Sequence, residues 1–139
     1  CWATLPWLLG SHLIYRGHGE NQNQVQMLVD SLSKDVDIIC FPDFDPAGLD
    51  LALRYKPNGL IVPKDWSEWS KEHDFVKRFN KHDSFFEQEA ALGDWPQRHI
   101  QLKNNEVLTE LVSHLRKEKI AITQEHLVAN DQILMRFSC

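Results

Sequence analysis

The chain is expected to fold as an α/β domain, a parallel sheet flanked by helices, and three features of the sequence predict this. Short β-prone runs alternate with helical patterns through the first half, in the order strand, turn, helix, strand, turn, helix, strand. The middle run, Val36-Asp37-Ile38-Ile39-Cys40-Phe41, has the length and apolar, β-rich character of a buried strand. It leads into Pro42-Asp43-Phe44-Asp45-Pro46-Ala47-Gly48, where two carboxylates at i and i+2 precede a Pro-x-Gly turn. In open α/β sheets, ligands and metals bind at the carboxyl ends of strands.

Taken in order, Trp2 to Gly10 reads as a helix end or an ordered loop, with Gly10 as a C-cap. Ser11-His12-Leu13-Ile14-Tyr15 is the first β-prone run. It ends in Arg16-Gly17-His18-Gly19, whose two glycines let the backbone approach a neighbour closely. Asn21 to Ser33 sets Val25, Leu28, Val29 and Leu32 at helical spacing against a Gln/Asn face, and Lys34-Asp35 closes that helix. After the central strand, Leu49 to Tyr55 is expected to be a short helix and Lys56-Pro57-Asn58-Gly59 a turn. Leu60-Ile61-Val62 is then a third strand, stopped by Pro63. Parallel strands joined through helices imply right-handed crossovers.

The second half changes character. Lys64 to His82 carries Trp66, Trp69, Phe75 and Phe79, read as core aromatics rather than stacking platforms for bases. Phe85 to Leu92 is another short helix, broken by Gly93-Asp94-Trp95-Pro96. Asn104 to Lys117 is an amphipathic helix through Val107, Leu108, Leu111, Val112 and Leu115. Ile120-Ala121-Ile122 is an extended link, and Thr123-Gln124-Glu125-His126-Leu127 begins a last helix with Thr123 as N-cap. The expected organisation is one domain over residues 1–139, with its α/β core at 11–63 and a helical extension at 64–139.

With 139 residues, 42% hydrophobic and 25% charged, the chain has the composition of one ordinary globular domain. No apolar run reaches the roughly 20 residues of a membrane span, and residues 1–9 lack the basic flank and cleavage pattern of a signal peptide. The first residue is Cys1 rather than Met, which suggests the C-terminal portion of a longer protein. The three cysteines, Cys1, Cys40 and Cys139, have the spacing of neither a disulfide framework nor a metal site. That pattern suits a reducing cytoplasm, with Cys40 packing as a small hydrophobe inside its strand. The formal charge of −5 argues against a wholly basic, DNA-coating surface. An acidic metal site contributes to that total without excluding a nucleic-acid enzyme.

Asp43 and Asp45 carry the chemistry. Side chains alternate in an extended strand, so both project to one side if that conformation persists through Phe44. Two like charges so close repel unless a cation or proton joins them, and hard oxygen ligands suit Mg²⁺ or Mn²⁺. The competing reading is structural: loop carboxylates, with Asp45 starting a proline turn or capping the next helix. Arg16 and His18 lie at the end of a neighbouring strand, on the same edge of a parallel sheet. Arg16 there would hold a phosphate, and His18 would contact one or move a proton; the alternative is a solvated turn. Glu20 is either a third metal carboxylate or a first-turn glutamate favoured by the helix dipole. Glu87 and Glu89 read as a solvated helix face, and Glu125 is left open. None of the seven histidines has H-x-x-x-H spacing, which argues against zinc. No phosphate-binding loop, no G-x-S-x-G and no complete dinucleotide fingerprint is present.

The run Leu13-Ile14-Tyr15-Arg16-Gly17-His18-Gly19, a helix, and then a strand ending in Asp43-Phe44-Asp45-Pro46-Ala47-Gly48 resembles the Toprim domain, a Rossmann-like fold. The D-x-D-P-x-G form looks most like the version in the A subunit of type IIB topoisomerases, in the Spo11 proteins and in JetD-type nucleases of the Wadjet plasmid-defence systems. The match covers Leu13 to Val62, and Ile122-Thr123-Gln124-Glu125-His126-Leu127 is similar to a C-terminal segment of those relatives. The resemblance implies Mg²⁺ held by the D-x-D pair and a first-strand glutamate, contacting DNA phosphates during cleavage or rejoining. It makes Asp43 and Asp45 metal ligands and sets Gly17 and Gly19 in the turn after the second strand. This sequence departs from the pattern: the glutamate belongs a strand and a helix before that turn, yet only sixteen residues precede Gly17. Glu20 is on the wrong side of the turn to replace it.

The function implied is Mg²⁺-dependent cleavage of DNA phosphodiesters, in the cytoplasm, with DNA and other domains or subunits of a larger complex as partners and no membrane. A nuclease is preferred to a topoisomerase because neither Tyr15 nor Tyr55 is placed as a nucleophile. One alternative is a non-catalytic Toprim-derived module that binds DNA or protein. The other is a phosphoryl-transfer enzyme of the haloacid dehalogenase type, which also sets D-x-D after a strand. That type wants Thr or Val where this chain has Ala47, and a downstream lysine motif that is not evident here.

Overall fold

The structure, a computed structural model, describes residues 22–32, 35–130 and 132–139. The first β-prone run, and with it Arg16, Gly17, His18, Gly19 and Glu20, lies outside the described residues. The chain divides into two units, Cys1–Val36 and Asp37–Cys139.

In the first unit, the stretch with helical spacing forms α1 (Gln22–Leu32). The Gln26 amide donates to Asp30 at 2.9 Å and the Ser31 hydroxyl to Leu28 O at 2.9 Å, both local pairings along the helix. The amides of Asp35 and Val36 return to Leu32 O at 3.0 Å and close it.

The second unit is built on a β-α-β turn of the chain: β1 (Ile39–Cys40), α2 (Pro46–Arg54) and β2 (Gly59–Pro63). β1 and β2 are parallel, with Ile39 opposite Gly59 and Cys40 opposite Leu60. The central strand is shorter than the apolar run Val36–Phe41 that predicts it. Its entry is diverted: the Ile38 amide donates to the Asn58 side chain at 2.7 Å, and Asp37 accepts from Arg136 at 3.3 Å. Pro42 then removes a ladder donor at its exit.

The sheet is not wholly parallel. β3 (Leu134–Ser138) runs antiparallel to β2, in register from Gly59 opposite Ser138 to Pro63 opposite Leu134, and the order is β1-β2-β3. A short run such as Ile133-Leu134-Met135-Arg136-Phe137, four apolar residues interrupted by Arg136, has no decisive period, so the sequence does not predict this strand. An antiparallel edge strand on a parallel pair is a common arrangement.

Between β2 and β3 the chain is helical. A single 3-10 turn at Trp66–Glu68 precedes α3 (Asp74–Phe79) and α4 (His82–Leu92), which ends at Gly93, held at φ 62. Two further 3-10 turns, Trp95–Arg98 and Ile100–Asn104, lead into α5 (Glu106–Glu118), and α6 (Gln124–Ala129) follows. Asn105 caps α5 by accepting from the Leu108 amide at 3.0 Å. One hydrophobic cluster joins the β-α-β residues Phe44, Leu49, Leu53, Leu60 and Val62 to Trp69, Trp95, Leu108, Leu111, Leu115, Ile122 and Leu127. Phe75 packs in it and Phe79 against it. Cys40 also packs against this core, its thiol pushed up to about 12, first by burial and then by the charge of Cys139.

Glu89 corrects one expectation. It is not on a solvated face: its carboxylate accepts from the Trp95 indole at 3.0 Å and from Arg116 Nε at 2.7 Å, fastening α4 to α5. Glu87 is exposed. Among the described residues, no helix is long and apolar enough to cross a membrane.

Candidate functional site

Pro42 ends the ladder of β1, and the next residues stay extended by other means. Phe44 exchanges both backbone hydrogen bonds with Ile122, donating at 2.9 Å and accepting at 3.1 Å. Its side chain is buried and meets Trp69 edge to face, ring centroids 5.7 Å apart. The middle residue of the D-x-D motif is therefore an anchor in the core. The bridge also brings Ile122-Thr123-Gln124, from the far end of the chain, against the motif.

Each flanking carboxylate then meets a helix N-terminus. Asp43 Oδ1 accepts from the Gln124 amide, the first residue of α6, at 2.8 Å. Thr123 occupies the N-cap position as expected, but its side chain makes no capping bond, so Asp43 supplies it from 81 residues away. Asp45 is the N-cap of α2, extended at φ −153 and ψ 168, and its Oδ1 accepts from the Gly48 amide at 2.6 Å. Carboxylates are favoured here because unpaired amides and the helix dipole both present positive charge.

Gln88, on α4, completes the enclosure. Its Nε2 donates to Asp45 Oδ2 at 3.3 Å while its Oε1 accepts from the Ala47 amide at 3.0 Å. Asp45 is only 6% exposed. Burial, the largest influence, raises its pKa; the Gly48 amide lowers it, the charge of Asp43 raises it, and Gln88 and Lys81 lower it, leaving it above the ordinary 3.8. Asp43 and Asp45 thus sense one another electrostatically. Gly48 is required where it is: a Cβ would lie 2.3 Å from Asp43 O and 2.9 Å from Asp45 Oδ1.

Mg²⁺ is commonly held by one or two protein carboxylates together with water and substrate phosphates. The pair fits that open kind of site better than a closed cage. Both Asp45 oxygens and Asp43 Oδ1 already accept hydrogen bonds, whereas Asp43 Oδ2 has no partner among the described residues. A carboxylate has about four acceptor directions, so capping leaves room for a cation. Among the described residues, no group of three or more His, Cys, Asp or Glu could enclose a metal. Glu125 is exposed in the first turn of α6.

Two features escape sequence reasoning. Gln88 gives no signal, since a glutamine on a short helix is ordinary. Asp50 gives a faint one, as a charge beside Leu49 and Leu53 on α2. It is 2% exposed and accepts from Arg54 at 2.8 Å, pairs with His99 Nε2 at 2.7 Å and receives Arg98 at 3.5 Å.

No curated protein and no solved structure matches the chain. The profile of a family described as Domain of unknown function (DUF7281) matches residues 2–136. With nearly the whole length covered, the chain belongs to the DUF7281 family.

Proposed function

We propose that this chain is a Toprim-like domain of a cytoplasmic DNA-processing protein, and that it holds Mg²⁺ or Mn²⁺ through Asp43 and Asp45 for cleavage of DNA phosphodiesters. The observation that supports it is the pairing of two carboxylates at the exit of β1, one of them buried against the charge of the other, with Asp43 Oδ2 lacking a partner among the described residues. A cation there would relieve the repulsion that burial intensifies. When bound it would neutralise phosphate charge and stabilise the oxygens that attack and leave. Phe44 and the Ile122 bridge anchor the backbone between the pair, and Gln88 and the Gly48 amide hydrogen-bond Asp45. Arg16 or His18 would orient the phosphate, and Gly17 and Gly19 would let the backbone approach it. DNA is the partner in this reading, with other domains or subunits of a larger assembly supplying basic surface.

A second reading is a non-catalytic module that binds DNA or protein. It is favoured by the use of both carboxylates as helix caps and by the lack of a third acidic ligand among the described residues.

Calorimetric titration of Mg²⁺ and Mn²⁺ into this chain and into Asp43→Asn/Asp45→Asn separates the two. Millimolar or tighter binding that the double variant loses supports the metal site. Equal heats from both proteins leave the non-catalytic module.

A further inference from the structure

A second site lies at the other end of α2. The helix starts at the exit of β1 and its nine residues carry the chain back toward the start of β2, about 13 Å at 1.5 Å per residue. At that far end a cavity of about 530 Å³ is lined by Leu53, Arg54, Lys56, Arg98, His99, Ile100 and Gln101. Three cationic residues line it together with the largely buried His99, and among the described residues no carboxylate does. In a chain of net charge −5, that concentration of positive charge is local and unrepresentative.

The cationic groups are held in place from behind. Asp50, buried beneath them, takes Arg54 at 2.8 Å, His99 Nε2 at 2.7 Å and Arg98 at 3.5 Å. The two guanidinium side chains remain 55% and 50% exposed, and Asp50 engages each through only one terminal nitrogen. Each guanidinium has five N–H donors, so most are left for a ligand. Gln101 fixes the floor by donating to Leu53 O at 2.9 Å.

Lys56 adds a third positive charge. It sits at φ 51, in the left-handed region where a lysine is disfavoured and glycine is not. Its ammonium has no partner among the described residues. This is the position just past the end of α2, where a left-handed residue commonly closes a helix, and the Lys56 amide donates to Leu53 O at 3.1 Å.

We propose that this cavity binds a phosphate monoester carried on a small organic body, a ligand of nucleotide size. Arg54 and Arg98 would take the phosphate oxygens as preoriented forks, with Lys56 completing the charge. The exposed Ile100 gives the organic part an apolar surface. A concave volume of this size suits a small ligand, whereas a strand of nucleic acid would call for a longer basic track. The proposal does not depend on metal at Asp43 and Asp45.

Titration calorimetry with inorganic phosphate, adenosine 5′-monophosphate and adenosine tests it, on the wild type and on Arg98→Gln, Lys56→Gln and Lys56→Gly. Phosphate and the monophosphate bind and adenosine does not. Each variant weakens the monophosphate about tenfold or more, the loss of one charge-assisted hydrogen bond. Lys56→Gly is the separating case: relief of the left-handed strain leaves its thermal stability equal to or above wild type while affinity falls. Should Arg98→Gln fail to fold, the two Lys56 variants decide. Three results overturn the proposal: no binding of phosphate or monophosphate at millimolar concentration, binding unchanged in the variants, or binding of a short DNA duplex there with no monophosphate binding.

Discussion

Asp43 Oδ1 accepts the backbone N–H of Gln124 at 2.8 Å, so a carboxylate at the exit of β1 caps a helix 81 residues further along the chain. The bond ties β1 to the start of α6 beside the Phe44–Ile122 bridge. It is structural in its own right, and it sets how any substitution of Asp43 must be read.

Asp43→Ala removes that cap and is expected to cost about 1 kcal/mol of unfolding free energy, typical of a lost N-cap acceptor. Asp43→Asn keeps an acceptor oxygen and should cost only a few tenths. Urea denaturation of the two variants checks this. Equal losses would mean that charge rather than the hydrogen bond holds α6.

Asp45 predicts a pH dependence. Its folded pKa lies above 3.8, chiefly because burial disfavours the ionised form. Between the ordinary value and the raised one the native state holds more proton than the unfolded chain. The contribution to stability is therefore fully present below 3.8 and is lost as pH rises through the folded pKa. The difference in unfolding free energy between wild type and Asp45→Asn, measured across acidic pH, should shift against the wild type with rising pH over that window and flatten above it. A flat difference throughout would refute the buried titration.

Gly48→Ala is expected to destabilise by about 1–3 kcal/mol, the range of core overpacking. The added Cβ meets the Asp43 carbonyl, which is backbone and has no rotamer to yield. Binding of Mg²⁺, where the wild type shows it, should weaken in the same variant because both aspartates must shift. Wild-type melting temperature in Gly48→Ala would contradict the close approach.

Much of the fold around the motif is legible in the sequence. The β-α-β segment around the motif follows from the apolar run, the helical residues from Leu49 and the turn at Pro57-Asn58, because local chemistry decides each; the helix itself starts earlier, at Pro46, inside the expected Pro-x-Gly turn. The aromatic positions Trp66, Trp69 and Phe75 are buried, as their type and spacing suggested. β3 was not legible, since a five-residue run carries no period that separates strand from helix. The double role of Asp43 was hidden for another reason: its partner is a backbone amide, which has no identity in the sequence. Thr123 looked sufficient as a cap, and only the fold shows the position filled from elsewhere. Gln88 and His99 are set by contacts 43 and 49 residues away, a range over which spacing says nothing.

The last prediction concerns Asp50. At 2% exposure it is the hydrogen-bond partner of His99, whose side chain is 7% exposed, and the counter-charge to two arginines that are about half exposed. Solvent screens the arginine pairs, so they contribute little each. The buried His99 bond decides the cost. Asp50→Ala leaves the imidazole nitrogen without a partner and should lose about 1–3 kcal/mol. Asp50→Asn retains an acceptor and should lose less. Urea denaturation of the two variants supplies the readout, because only Asp50→Ala removes the acceptor that stands 2.7 Å from His99 Nε2. Equal losses in Asp50→Ala and Asp50→Asn would mean that the 2.7 Å hydrogen bond does not set the cost.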